Sequence, residues 1–214
     1  MSLNAFDAPL DCALCPRLVT FRRENEKKYP TFFNSPVPTF GSTEAALLIV
    51  GLAPGLKGAN QTGRPFTGDY AGDTLFETLL KTGFASGDYG KVIDDSLTLH
   101  DVAITNAVRC VPPQNKPTTD EIVTCRPFLI NQIALMQSKN LRILLSLGKI
   151  SHDTVLKTFD LKLSAYPFAH GAVHKLPNGL TLVDSYHCSR YNVNTKRLTE
   201  DMFFEIFELI KSLD

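Results

Sequence analysis

The stretch FTGDYAGDTL at residues 66–75 places an aromatic ring, a hydroxyl, a glycine and two carboxylates beside what reads as a helix start. Asp69 has two uses there. It is a favoured helix N-cap, and a carboxylate in such a place can orient or deprotonate water. Asp73, four residues on, is the other acid on offer, and spacing does not choose between them. Five cysteines raise a second chemistry. Cys12 and Cys15 form a C-x2-C, Cys110 and Cys125 lie far downstream, and Cys188 is left over. Four thiolates can hold tetrahedral zinc or an iron–sulfur cluster. A zinc ribbon ordinarily carries two C-x2-C knuckles, and here the second pair is widely split, which weakens zinc. Buried cysteines acting as small hydrophobes are the remaining alternative. His170 and His174 in HGAVH are four apart, but no Glu stands between them and Gly171 interrupts, so zinc hydrolase chemistry is not expected. The sequence has neither G-x4-G-K-[ST] nor a clean G-x-G-x-x-G, which argues against NTP and dinucleotide binding.

Alternating strands and helices must position these groups. The apolar runs 45–54, 101–110, 141–148 and 180–186 read as four strands, and 141–148 is continuous enough for a central parallel one. Between them, helical spacing is expected over 69–82, 118–138 and the short segment 149–159, with Pro127 kinking or ending part of the second. An amphipathic helix closes the chain after residue 195. The pattern argues for an α/β sandwich with a mostly parallel, four-stranded sheet. Ligands in such folds bind at the carboxyl ends of the strands. GLAPG, TNAVRC and SYHCS all fall there, and that coincidence outweighs any single motif.

Composition bounds the partners. With 43% hydrophobic and 21% charged residues the chain is an ordinary globular one. No apolar run reaches the roughly 20 residues needed to span a bilayer. The start lacks a basic region followed by an apolar run, so no secretory leader is expected and a cytoplasmic setting follows. Disulfides are then not expected. Net charge is zero, so nucleic-acid binding requires a local patch. PRLVTFRRENEKK (16–28) offers five cations against two anions, as either a solvated helix face or a phosphate-binding one.

Four blocks carry a resemblance: GLAPGLKGANQTGRPFTGDYAGDTL (51–75), ITNAVRCVPPQNKPT (104–118), PFAHGAVHKLPNGLTL (167–182) and SYHCSRYNVNTKRLT (185–199). Their content and order resemble the family 5, or type B, uracil-DNA glycosylases, over essentially the whole chain from Cys12 onward. The related family 4 has Glu after the first glycine of the first block, where this chain has Leu52. The resemblance implies a three-layer sandwich as one domain over 1–214. It also implies a structural [4Fe–4S] cluster on Cys12, Cys15, Cys110 and Cys125, with the segment of about 1–40 helping to bind it. It implies a glycosylase acting on double- and single-stranded DNA, as a monomer.

Excising uracil breaks an N-glycosidic bond through an oxocarbenium-like transition state, on a base flipped out of the duplex. The resemblance assigns water and the sugar cation to Asp69, and stacking on the base to Phe66. Asn106 has a donor and an acceptor on one edge that match uracil O4 and N3, while cytosine presents the opposite pattern. His187 can donate to uracil O2 and stabilise the leaving anion, as an oxyanion hole does. His170 matches a family position and is expected to line the site. Gly51, Ala53 and Gly55 let main chain approach the base. Arg64 and Ser189 are expected on DNA phosphates, and Arg190 and Tyr191 as a wedge between bases.

The last block departs from the family. Cys188 stands where proline is commoner, Lys196 where glycine is, and RYNVN replaces a Gln-rich loop, which bears on DNA engagement and substrate range. No lysine is placed for a Schiff base, so lyase activity is not expected. Uracil opposite G or A and in single strands is the expected substrate, with hypoxanthine and xanthine admitted by apolar Leu52. The alternative is a non-catalytic Fe–S module that recognises damaged or single-stranded DNA. A zinc-stabilised nucleoside hydrolase is a third reading.

Overall fold

Four five-residue strands are buried along their whole length: β2 (Leu47–Gly51), β5 (Val102–Asn106), β6 (Ile143–Leu147) and β8 (Thr181–Ser185). Full burial on both faces is what continuous apolar runs demand, and all four pair in parallel. The computed structural model describes residues 6–213; the first five residues of the N-terminal segment and Asp214 lie outside it. In chain order the remaining elements are α1 (Pro16–Lys28), β1 (Phe40–Gly41), α2 (Ala59–Thr62), α3 (Tyr70–Lys81), β3 (Ala85–Ser86), β4 (Thr98–Leu99), α4 (Thr119–Gln137), α5 (Lys149–Thr158), β7 (Val173–Lys175), α6 (Arg190–Asn194) and α7 (Glu200–Lys211).

The main sheet has six strands, ordered β1-β5-β2-β6-β8-β7, not the four expected. The two additions are antiparallel edges. They run to only two and three residues, too short for an apolar period to register. One face of the sheet packs Leu75, Phe76 and Leu79 of α3 and Phe203, Phe207 and Ile210 of α7. The other packs Leu129, Ile133 and Met136 of α4 and Val155 and Leu156 of α5. This makes the three-layer sandwich. The chain leaves β2 toward α3 on one face and β6 toward α5 on the other, so a crevice opens beyond their carboxyl ends.

Local chemistry sets the helix ends. Thr118 and Glu121 form a capping box on α4, the backbone N–H of Glu121 donating to Thr118 Oγ1 at 3.3 Å and that of Thr118 to Glu121 Oε2 at 2.7 Å. Pro127 sits inside α4 without ending it. Arg17 of α1 donates to both Glu121 oxygens at 2.7 Å, tying α1 to α4. No helix among the described residues is long and apolar enough to cross a membrane.

Arg64 corrects an expectation. It is 4% exposed, and its two Nη groups each donate at 2.7 Å to the Asp95 carboxylate. Its Nε–H donates to Thr67 Oγ1, and the guanidinium lies over the rings of Phe40, Phe76 and Tyr89. The side chain is committed inside the protein, not offered to phosphate. It clamps the segment before Phe66 onto the 86–97 loop. The pairing holds the Asp95 carboxyl below its ordinary 3.8, so the stability it gives is fully present above that value and is lost as pH falls below it and through the lowered value of the folded protein. Arg64→Met leaves a buried carboxylate unpaired and should cost about 3–5 kcal/mol at pH 7. Urea denaturation at pH 7 checks this, as a lower midpoint in the variant.

Candidate active site

A cleft of about 400 Å³ opens at the carboxyl ends of the central strands. Its floor is the main chain after β2, Leu52 to Gly55, with Asn106 from the end of β5 beside it. The register sets Gly51 opposite Asn106. A Cβ at Gly51 would lie 2.5 Å from Asn106 Oδ1 and 2.6 Å from Phe66 Cζ, so only glycine lets amide and ring converge there.

Asp69 is both cap and pocket wall. It is the N-cap of α3, and its Oδ1 accepts from the Gly72 N–H at 3.0 Å. The Oδ2 side is kept open by glycines, since a Cβ at Gly55 or Gly58 would sit 3.0 or 2.5 Å from it. Burial pushes the carboxyl above its ordinary 3.8, against the helix N–H bonds that favour the charged form. Asp73 is instead an outer acid, paired with Lys91 at 2.8 Å. Asp69 thus lines the cleft and Asp73 does not.

Phe66 is 7% exposed and lines the cleft with a left-handed backbone, φ 59°. Its carbonyl accepts from the Tyr89 hydroxyl at 3.4 Å, and that hydroxyl accepts from the Gly68 N–H at 3.1 Å. His187, on the turn after β8, lies across the cleft with its ring centroid 6.0 Å from that of Phe66 and the planes 27° apart. Its carbonyl accepts from the Asn192 amide at 2.8 Å, which anchors the turn. Burial pushes the imidazole down to about 4, so it is neutral at pH 7.

The rim is wet. Ser189 and Arg190 line it, Ser189 capping α6 through a 3.4 Å bond from the Asn192 N–H. The Arg190 guanidinium sits 5.3 Å over the Tyr70 ring, and Tyr191 is 72% exposed. Sequence reasoning missed Asn115 and Tyr70. Asn115 reaches the cleft from a turn in which Gln114 and Asn115 both have positive φ, 55° and 56°. The Asn in PPQNKP, a residue that tolerates that region, was the available signal.

His170 is not among the residues lining the cleft. Its Nδ1 accepts from the Tyr186 N–H at 3.2 Å, and its ring stacks on Tyr186 at 5.1 Å. It braces the turn that carries His187, correcting the expectation that it lines the site. Cys188 is buried, its thiol donating to the Ala71 carbonyl at 3.3 Å.

Cys12, Cys15, Cys110 and Cys125 line a second, apolar pocket with Leu18, Val108 and Phe128. All are free thiols. Burial, with neighbouring cysteines, pushes Cys15 up to about 11, and burial pushes Cys110 up to about 12. Thiols so placed deprotonate when a metal centre supplies positive charge. Arg22, itself buried, reaches Cys110 Sγ at 3.7 Å, and the Arg109 N–H donates to Cys125 Sγ at 3.4 Å. Arg22 thus serves contacts inside the fold, while Arg17, at the surface, is paired with Glu121.

Residues 38–211 match the uracil DNA glycosylase superfamily. A type-5 uracil-DNA glycosylase of Thermus thermophilus is 44% identical over 207 residues, covering 94% of this chain and 93% of that protein. Type-5 uracil-DNA glycosylases of Mycobacterium leprae and Pyrobaculum aerophilum are 39% and 36% identical, covering 94% and 92% of this chain and 91% and 86% of theirs. The chain belongs to the uracil DNA glycosylase superfamily and, within it, to the type-5 family.

Gly72 tests the geometry. A Cβ there would lie 1.5 Å from the Phe66 carbonyl oxygen. Gly→Ala in a helix ordinarily gains roughly 0.5–1 kcal/mol. Gly72→Ala should instead destabilise by about 1–3 kcal/mol, measured as a lower urea midpoint.

Proposed function

We propose that this protein is a monofunctional DNA glycosylase that flips uracil from DNA and hydrolyses its N-glycosidic bond, leaving an abasic site. The observation that carries the reading is Asp69, a half-buried carboxylate aimed into a cleft that also holds Phe66, Asn106 and His187. The flipped base stacks on Phe66. The Asn106 amide N–H donates to uracil O4 and its oxygen accepts from N3–H, a pairing cytosine cannot make. As the C1′–N1 bond breaks, its electron pair passes to the uracil ring. An N–H of His187 donates to O2 and spreads that charge. A neutral imidazole suits this task, because the base then departs as a hydrogen-bonded anion without full proton transfer. Asp69, more basic than an ordinary carboxylate, orients the water that adds to C1′, takes its proton and faces the sugar cation.

Double- and single-stranded DNA are the proposed partners, met by Ser189, Arg190 and Tyr191 at the rim. The protein acts as a cytoplasmic monomer and single domain. Hypoxanthine and xanthine are further substrates, because apolar Leu52 imposes no polar selection on the base. Cys12, Cys15, Cys110 and Cys125 would hold a [4Fe–4S] cluster. When bound, it supplies a rigid cross-link between the N-terminal segment, α4 and the loop after β5, and no redox step.

A labelled duplex with one uracil tests the function. Strand cleavage at that position after alkali is expected. No cleavage at uracil, hypoxanthine or xanthine would leave a DNA-binding module without glycosylase activity. The pH profile tests the chemistry. Activity requires Asp69 ionised and His187 neutral, so kcat/KM should rise with pH through an acid limb that holds the His187 value of about 4 and the raised Asp69 one. An inflection at the ordinary histidine value, near 6.5, would contradict the neutral-donor role.

A further inference from the structure

We propose that His152, His174 and Asp184 form a site for one divalent cation of the zinc class, which fastens α5, β7 and β8 together behind the active site. The spacing of HGAVH pairs His174 with His170, but the fold pairs it with His152. One ring nitrogen of each of these two histidines and a carboxylate oxygen of Asp184 all lie within 4.8 Å of one another.

The hydrogen bonds around the three leave a vacancy in the accounting of positive charge. His152 Nε2 stands 2.9 Å from the Tyr166 carbonyl, which only accepts, so the ring proton sits there. Its Nδ1 then turns a lone pair toward Asp184 Oδ1, 2.8 Å away. That oxygen already accepts from the Ser146 hydroxyl at 2.6 Å. On the other side, His174 Nε2 lies 3.2 Å from Asp184 Oδ2. Electron-rich atoms converge on one buried point that must hold either an extra proton or a cation.

Outer contacts match those of metal ligands. Ligating histidines characteristically donate their second N–H to a backbone carbonyl, and ligating carboxylates are themselves hydrogen-bonded. His152 and Asp184 meet both conditions through Tyr166 and Ser146. Two imidazoles and a carboxylate suit zinc, with the fourth position left to water. Tetrahedral bonds of about 2.0–2.2 Å hold donors roughly 3.4 Å apart, so the nitrogen–oxygen contacts of 2.8 and 3.2 Å would open slightly as the donor set, now within 4.8 Å, closes around the ion. The His174 side chain is 12% exposed, which gives the ion a route in, while His152 and Asp184 are closed off. Asp184 lies on β8, three residues before His187, so the ion would brace the strand that presents it.

Cobalt(II) titration of the protein as isolated, its cysteines included, is the test. One equivalent should give visible d–d bands of tetrahedral intensity, without a sulfur-to-cobalt charge-transfer band, and zinc should displace it. Zinc should also raise the Tm. Both effects should vanish in His174→Gln, whose amide can still donate to Asp184 and keep the fold. Absence of the bands, their persistence in His174→Gln, or bands with sulfur charge transfer would overturn the site. The first two outcomes would leave a protonated hydrogen-bond cluster, and the third would place the metal on the cysteines.

Discussion

Phe66 holds a left-handed backbone, at a cost of about 1–3 kcal/mol for a residue of its bulk. The surroundings offset that cost from several directions. Arg64 is clamped by Asp95 and Thr67 on one side. Tyr89 bridges the Phe66 carbonyl and the Gly68 N–H on the other. Gly72 has no Cβ to strike the same carbonyl. The turn that results throws the ring across the cleft toward His187 and starts a helix three residues later, at Asp69. A relaxed turn would separate ring from carboxylate, and no other element would bring them back together.

Desolvation is the second common cause. The same effect moves Asp69 up, His187 down to about 4 and the Cys15 and Cys110 thiols up, in each case toward the neutral form. For His187 the shift leaves the imidazole a neutral donor at pH 7. For Asp69 it makes the carboxylate more basic than an ordinary one. One physical effect thus tunes both groups that face each other in the cleft.

The parts legible in the sequence were those with strong local patterns. The four central strands announced themselves as apolar runs, and the cap at Asp69 as a favoured residue type ahead of helical spacing. The edge strands were not legible, because two or three residues carry no period. Arg64 and His170 looked like ligand-facing groups because both stand in motif blocks. Their commitments, to Asp95 and to the Tyr186 backbone, depend on residues 31 and 16 positions away. The grouping of His152 with His174 and Asp184 likewise spans α5, β7 and β8, and only the folded sheet assembles it.

The central claim is that Asp69 does chemistry beyond capping α3. Asp69→Ser separates the roles, since serine caps a helix about as well as aspartate but carries no carboxylate. The measurement is single-turnover excision of uracil from a duplex, beside thermal unfolding of the same variant. The account predicts a Tm close to that of the wild type and a rate lower by about 10²–10⁴-fold. A rate within a few-fold of the wild type would contradict it and leave Asp69 a helix cap.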